Sequence, residues 1–209
     1  MYIKVCGMRD AQNIRDVEAL GVDLMGFIFY DKSPRNVETK PDYLPEGCHR
    51  VGVFVNSAVE DIVSRVKDFG LTFVQLHGDE TPAFVLSLRK SLEAEGLASV
   101  KIVRSIAVAS RSQVMKAQIW DGYVDGILFE TPTAGYGGSG ISFDWSLLSS
   151  YRGKTPFFLA GGIGMECLPE LREFRHPRWL GIDLNSRFEI SPGVKDVAKL
   201  QQFIKEIKS

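Results

Sequence analysis

A small (β/α)8 barrel of eight parallel strands, with residues 1–209 forming one domain, is the fold this sequence predicts. Three observations point to it. Eight short β-type runs recur about 25 residues apart. Several are apolar with little alternation, as expected when helices cover a parallel sheet. Helix signals fill most of the gaps between them. An open doubly wound sheet is the competing architecture. It takes eight strands less naturally, and no G-x-G-x-x-G follows the first run.

The runs can be taken in order. The first is Tyr2–Cys6 and the second Leu24–Phe29. Asp31–Pro45 follows with little periodicity and three prolines, so it reads as a long loop with at most a short helix. The third run is Arg50–Val55. Ser57 and Glu60 then form an S-x-x-E capping signal, with Val59, Ile62, Val63, Val66 and Phe69 at helical spacing. Phe73–His77, Val100–Ser105 and Asp125–Glu130 are the next three runs. Ser110 and Gln113 repeat the capping signal between the last two. The loop Thr131–Phe143 holds four glycines, Gly135, Gly137, Gly138 and Gly140. Pro156–Ala160 and Leu180–Asp183 are the last two runs. Val197, Leu200, Ile204 and Ile207 mark one face of a closing helix.

Composition narrows the function. A chain of 209 residues can bury about 70% of its unfolded surface, enough for a core without staples. Its net charge is −1, which lacks the basic excess of a sequence-blind nucleic-acid binder. Cys6, Cys48 and Cys167 form no C-x-x-C pair and no zinc spacing. A disulfide scaffold and a metal module are therefore not expected, and a reducing, cytoplasmic setting is. No apolar run approaches the roughly 18 residues of a membrane span. The chain opens on a strand-like run and not on a signal peptide.

Barrel chemistry sits at the C-terminal ends of the strands, which selects candidates by position. Cys6 closes the first run, Asn56 follows the third, and Gln75 and His77 end the fourth. Ser105, Glu130 and Asp183 end the fifth, sixth and eighth, and Gly161 and Gly162 follow the seventh. Cys6 is a candidate base or nucleophile, or else a small buried hydrophobe. A free thiol is only about 3% ionised at pH 7, so a basic role needs a nearby cation. Lys4 shares strand parity with Cys6 and points to the same interior face. It can also pair with Asp183 if the barrel closes. Glu130 is a candidate acid, or else a solvated loop carboxylate. Glycines after the seventh run, with Asn185 and Ser186 after the eighth, suit a phosphate. Arg187 is a further candidate for that anion. Arg35, in the loop after the second run, can clamp a carboxylate. Trp120, Trp145 and Trp179 read as packing residues.

Taken together, these segments resemble the phosphoribosylanthranilate isomerases of tryptophan biosynthesis from end to end. The resemblance rests on K-V-C-G-M-R at Lys4–Arg9, G-F-I-F-Y-D-K-S-P-R at Gly26–Arg35 and R-V-G-V-F-V-N at Arg50–Asn56. V-Q-L-H-G-D-E at Val74–Glu80, Y-G-G-S-G at Tyr136–Gly140 and F-D-W at Phe143–Trp145 continue it. L-A-G-G-I at Leu159–Ile163, the segment G-I-D-L-N-S and P-G-V-K-D at Pro192–Asp196 complete it.

The resemblance implies an aldose–ketose isomerase that needs no cofactor and no metal. Its substrate would be a phosphorylated sugar carrying anthranilate, rearranged by general acid–base catalysis. Cys6 would be the base and Glu130 the acid, where the family usually has aspartate. Arg35 would grip the anthranilate carboxylate. Asp183, His77 and Gln75 would bind substrate, and Gly161, Gly162, Asn185 and Ser186 would hold its phosphate. Arg187 stands where many relatives have glycine. A monomer or homodimer is expected, with no nucleic-acid or membrane partner. Two alternatives remain. The histidine-pathway Amadori enzyme would place carboxylates where Cys6 and Ser105 stand. A barrel that binds without catalysing would follow if Glu130 cannot replace the aspartate.

Overall fold

Each apolar run forms a strand, and each strand pairs in parallel with its chain neighbour until the eighth returns to the first. The computed structural model describes residues 1–132 and 143–208. The strands are β1 (Tyr2–Val5), β2 (Leu24–Phe29), β3 (His49–Phe54), β4 (Phe73–Leu76), β5 (Lys101–Ala107), β6 (Gly126–Glu130), β7 (Phe157–Leu159) and β8 (Trp179–Leu184). Their ends differ from the sequence reading by one or two residues. Cys6, His77 and Ala160 lie just past their strands, and Ser105 lies inside β5.

The helices are α1 (Ala11–Glu18), α2 (Val59–Phe69), α3 (Pro82–Ala94), α4 (Arg111–Lys116), α5 (Leu168–Glu173) and α6 (Val197–Lys208). Asp10 caps α1 by accepting from Asn13 N, and Thr81 caps α3 by accepting from Phe84 N. The expected box at Ser57 and Glu60 does not form. Helix α2 starts one residue later, with Ala58 as its cap and no side-chain bond there. At α4 the signal is half used: Gln113 Oε1 accepts from Ala109 N at 2.6 Å, but Ser110 does not cap. No helix separates β2 from β3, as the prolines there require. Residues 31–45 instead lie along the barrel, with Asn36 bridging to Ile28.

One element was absent from the sequence reading. A hairpin of β9 (Glu189–Ser191) and β10 (Val194–Lys195) follows β8. Its turn carries Pro192 and then Gly193 at φ 85°. Proline before a positive-φ glycine is a readable turn signal.

Strand parity divides the core in two. Ile3, Val5, Val74, Ile102, Phe129 and Ile182 face the helices in the larger cluster. Leu24, Val51, Val103, Leu128 and Phe158 fill the barrel's own interior. On the strands carrying Val103 and Leu128, the next interior positions toward the C-terminal end are Ser105 and Glu130. Leaving the apolar plug, the inward-facing side chains become polar. That change of layer is what creates a site at one end of the barrel.

Candidate active site

A cleft opens at that end. Eleven of its lining residues are sequence candidates: Cys6, Arg35, Gln75, His77, Glu130, Gly161, Gly162, Asp183, Asn185, Ser186 and Arg187. The structure therefore brings all eleven together. Asn56 is not among them. It adopts φ 53° and serves the turn after β4, accepting from Asp79 N at 2.6 Å. The Tyr136–Gly140 motif lies outside the described residues.

Register builds the β1–β8 side. Lys4 on β1 is paired with Asp183 on β8, and Lys4 Nζ donates to Asp183 Oδ1 at 2.9 Å. Both residues are buried. Burial works to lower the Lys4 ammonium, but Asp183 and Cys6 outweigh it and the group is raised. The reading of Lys4 as the partner of Asp183 is thus met, while its charge only opposes a rise of the Cys6 thiol and does not bring it down. Burial nonetheless pushes the Cys6 thiol above its ordinary value, against the pull of Lys4 and Lys195. In the free protein the thiol is therefore protonated at neutral pH.

The β4–β6 side is different. Glu130 Oε1 lies 3.2 Å from His77 Nε2. Burial, reinforced by the charge of Asp183, raises the Glu130 carboxyl to about 8. Burial, with Lys4 and Arg104 adding to it, lowers His77 to about 4. At pH 7 the contact thus joins a protonated acid to a neutral imidazole. Gln75 Nε2 donates to Ser105 Oγ at 3.0 Å. Its buried carbonyl accepts from no described residue. Behind His77, Arg104 ties down the turn after β4, donating to Gly78 O at 2.6 Å and Glu80 Oε2 at 2.7 Å.

Arg35 does hold a carboxylate, but it belongs to the protein. Its Nη2 donates to Glu189 Oε2 at 2.6 Å and its Nε to Glu189 Oε1 at 2.9 Å. Lys195 Nζ donates to the same Oε1 at 2.7 Å and to Asn185 Oδ1 at 2.7 Å. Sequence reasoning missed Glu189 and Lys195 as site residues. The only local signal was the P-G turn that folds them back together.

At the β7–β8 end, Gly161 and Gly162 have φ 83° and 69°. A Cβ on Gly161 would meet Thr131 N at 2.5 Å, so glycine is required there. The backbone N–H groups of Gly161, Gly162, Ser186 and Arg187 donate to no described residue. Arg187 is held at the rim by Glu166 at 2.6 Å, both side chains being exposed.

Comparisons agree with this architecture. The family model described as N-(5'phosphoribosyl)anthranilate (PRA) isomerase matches residues 3–206. The N-(5'-phosphoribosyl)anthranilate isomerase of Phocaeicola vulgatus is 49% identical over 208 residues, covering 100% of this chain and 98% of that one. That of Parabacteroides distasonis is 45% identical, with 99% and 93% covered. Among solved structures, the phosphoribosyl anthranilate isomerase of Thermotoga maritima superposes with a TM-score of 0.80 at 29% identity, covering 100% and 98%. Another isomerase of that kind superposes with a TM-score of 0.76 at 26% identity and the same coverage. That one was solved in complex with reduced 1-(o-carboxyphenylamino)-1-deoxyribulose 5-phosphate. With the barrel, the cleft and the end-to-end likeness in agreement, the chain belongs to the N-(5'-phosphoribosyl)anthranilate isomerase family, the aldose–ketose isomerases of tryptophan biosynthesis.

Proposed function

We propose that Cys6 and Glu130 are the base and acid of the family's Amadori rearrangement in this chain. The observation that carries the reading is one cleft holding a thiol beside an ammonium and a carboxyl kept protonated by burial. Glu130 donates its proton to the furanose ring oxygen of N-(5'-phosphoribosyl)anthranilate. The ring opens to a Schiff base as the carbon–oxygen bond breaks. Cys6, as thiolate, removes the proton at sugar carbon two, and the resulting enolamine relaxes to the ketone. The product is 1-(2-carboxyphenylamino)-1-deoxyribulose 5-phosphate. The two groups at either end orient the substrate, which lowers the barrier by several kcal/mol. Arg35 takes the anthranilate carboxylate, and the N–H groups of Gly161, Gly162 and Ser186, which donate to no described residue, take the phosphate, with Asn185 beside them. Asp183, His77 and the side-chain carbonyl of Gln75, which accepts from no described residue, face the sugar. We read residues 1–209 as one such domain, monomeric or homodimeric. Its free thiols fit the cytoplasm.

The proton inventory sharpens this reading. The free site holds a thiol and an acid, whereas the working form needs a thiolate and an acid. One proton must leave first, and the form that has lost one becomes about tenfold commoner per pH unit below the lower pKa. We expect kcat/KM to climb with pH through neutrality and to level near 8, where Glu130 titrates. Glu130→Gln should abolish most turnover at saturating substrate, while Glu130→Asp should keep a substantial part. Equal, near-normal kcat for both would remove Glu130 from the mechanism.

A further inference from the structure

We propose that Glu189, braced by Lys195, is a specificity-positioning residue: it fixes the Arg35 guanidinium so that its remaining edge receives the substrate's ring carboxylate. The proposal rests on the reading of Arg35 given above.

Hydrogen-bond inventory carries the argument. A guanidinium has five N–H donors in a rigid plane. Glu189 takes the Nε edge: Nε donates to both carboxylate oxygens, at 2.9 and 3.1 Å, and Nη2 donates to Oε2 at 2.6 Å. Nη1 donates to no described residue, and Arg35 lines the cleft while Glu189 and Lys195 do not. The carboxylate therefore stands behind the guanidinium and the unused edge lies toward the cleft.

Glu189 is itself over-determined. Its Oε1 also accepts from Lys195 Nζ at 2.7 Å and Gly193 N at 3.1 Å. Both Glu189 and Lys195 are buried in their side chains. The hairpin bearing them is anchored to α1, where Asn13 accepts from Lys195 N at 2.7 Å and donates to Lys195 O at 2.9 Å. A loop arginine alone would lose much rotamer entropy on gripping a ligand, and this cage removes that cost beforehand. The cage also leaves the cluster cationic, with Arg35 and Lys195 against one carboxylate. Glu189 thus orients the fork without cancelling its charge.

The test compares dissociation constants for two stable probes. One is the reduced product, 1-(2-carboxyphenylamino)-1-deoxyribulose 5-phosphate in reduced form. The other is its counterpart with a plain phenyl ring. Their ratio in each variant is the carboxylate preference, which general loosening of the barrel does not move. Arg35→Ala should reduce the preference at least about tenfold, as expected for loss of a two-point charged contact. Glu189→Ala should lose most of the same factor, and Glu189→Gln a part of it, about threefold. The double variant Arg35→Ala/Glu189→Ala should match Arg35→Ala alone. If Glu189→Ala does not fold by circular dichroism, Glu189→Gln and Lys195→Met decide. If Arg35→Ala leaves the preference intact, the reading of Arg35 fails. If Arg35→Ala abolishes it but the Glu189 variants keep it within about twofold, the positioning proposal is overturned while Arg35 stands. A preference that rises in Glu189→Ala overturns it too, because Glu189 would then be a competitor for Arg35.

Discussion

On the β1–β8 side of the cleft, Lys4 meets Asp183 at 2.9 Å and Arg35 meets Glu189 at 2.6 Å. On the β4–β6 side, Glu130 meets an imidazole at 3.2 Å. Both sides bury ionisable groups, and a buried charge must be paired or given up. The first side pairs its charges. Lys4 and Asp183 are register neighbours, so the ion pair forms without either side chain having to search. The second side gives its charge up. The cations that act on Glu130, Lys4 and Arg104, are already committed to Asp183 and Glu80. Burial then wins and the proton stays on the acid. The comparison explains how one cleft can attract an anion and donate a proton. Lys4, Arg35 and Lys195 outnumber Asp183 and Glu189 by one charge on one side, while the other stays neutral.

The largest effect should come from the residue on the charged side that must itself become charged. Cys6→Ala should lower the single-turnover rate roughly 10²–10⁴-fold, the range for loss of a general base. Binding of the reduced product and the circular dichroism spectrum should change little. Near-normal turnover in the folded variant would take Cys6 out of the mechanism. Next is the pairing itself. Asp183→Asn leaves the buried Lys4 ammonium without its carboxylate and should cost about 3–5 kcal/mol in urea unfolding. Lys4→Met/Asp183→Leu, which removes both charges, should recover most of that. If it recovers none, the two charges are not coupled in the way their geometry implies.

The neutral side has its own signature in pH. Glu130 titrates near 4.5 when unfolded and near 8 when folded. Its contribution is fully present below 4.5 and is lost as pH rises through 8, because the folded state then holds the proton more tightly. Relative to Glu130→Gln, which cannot titrate, the native chain should therefore lose about 4 kcal/mol of stability between pH 5 and pH 9. A constant difference across that range would mean that Glu130 is charged in the folded state. The smallest effect belongs to the rim. Arg187 and Glu166 form an exposed pair, so Arg187→Ala should change stability by less than about 1 kcal/mol. A larger loss would show that the β8 loop depends on a contact this exposed.

Much of the site was readable because it follows from two periodicities. Period-two alternation put Lys4 and Cys6 on one face, and the barrel rule put Glu130 and Asp183 at the working end. The glycines after β7 were readable for the same reason. Arg35 was found, yet its partner was not, since Glu189 lies 154 residues away along the chain. The capping signal at Ser57 failed because a short polar motif competes with packing. Helix α2 is set by the burial of Ile62, Val63, Val66 and Phe69 rather than by its first residue.

The order of strands, the end of the barrel that carries the chemistry and the residue types facing it were determined by the sequence, because each depends on local spacing and the parallel βα repeat. Only the tertiary structure decided which of those residues are ionised. Charge state depends on burial and on partners brought from distant strands, and neither can be read along the chain: Asp183 keeps an ammonium at 2.9 Å, while Glu130, facing the same cleft, keeps its proton.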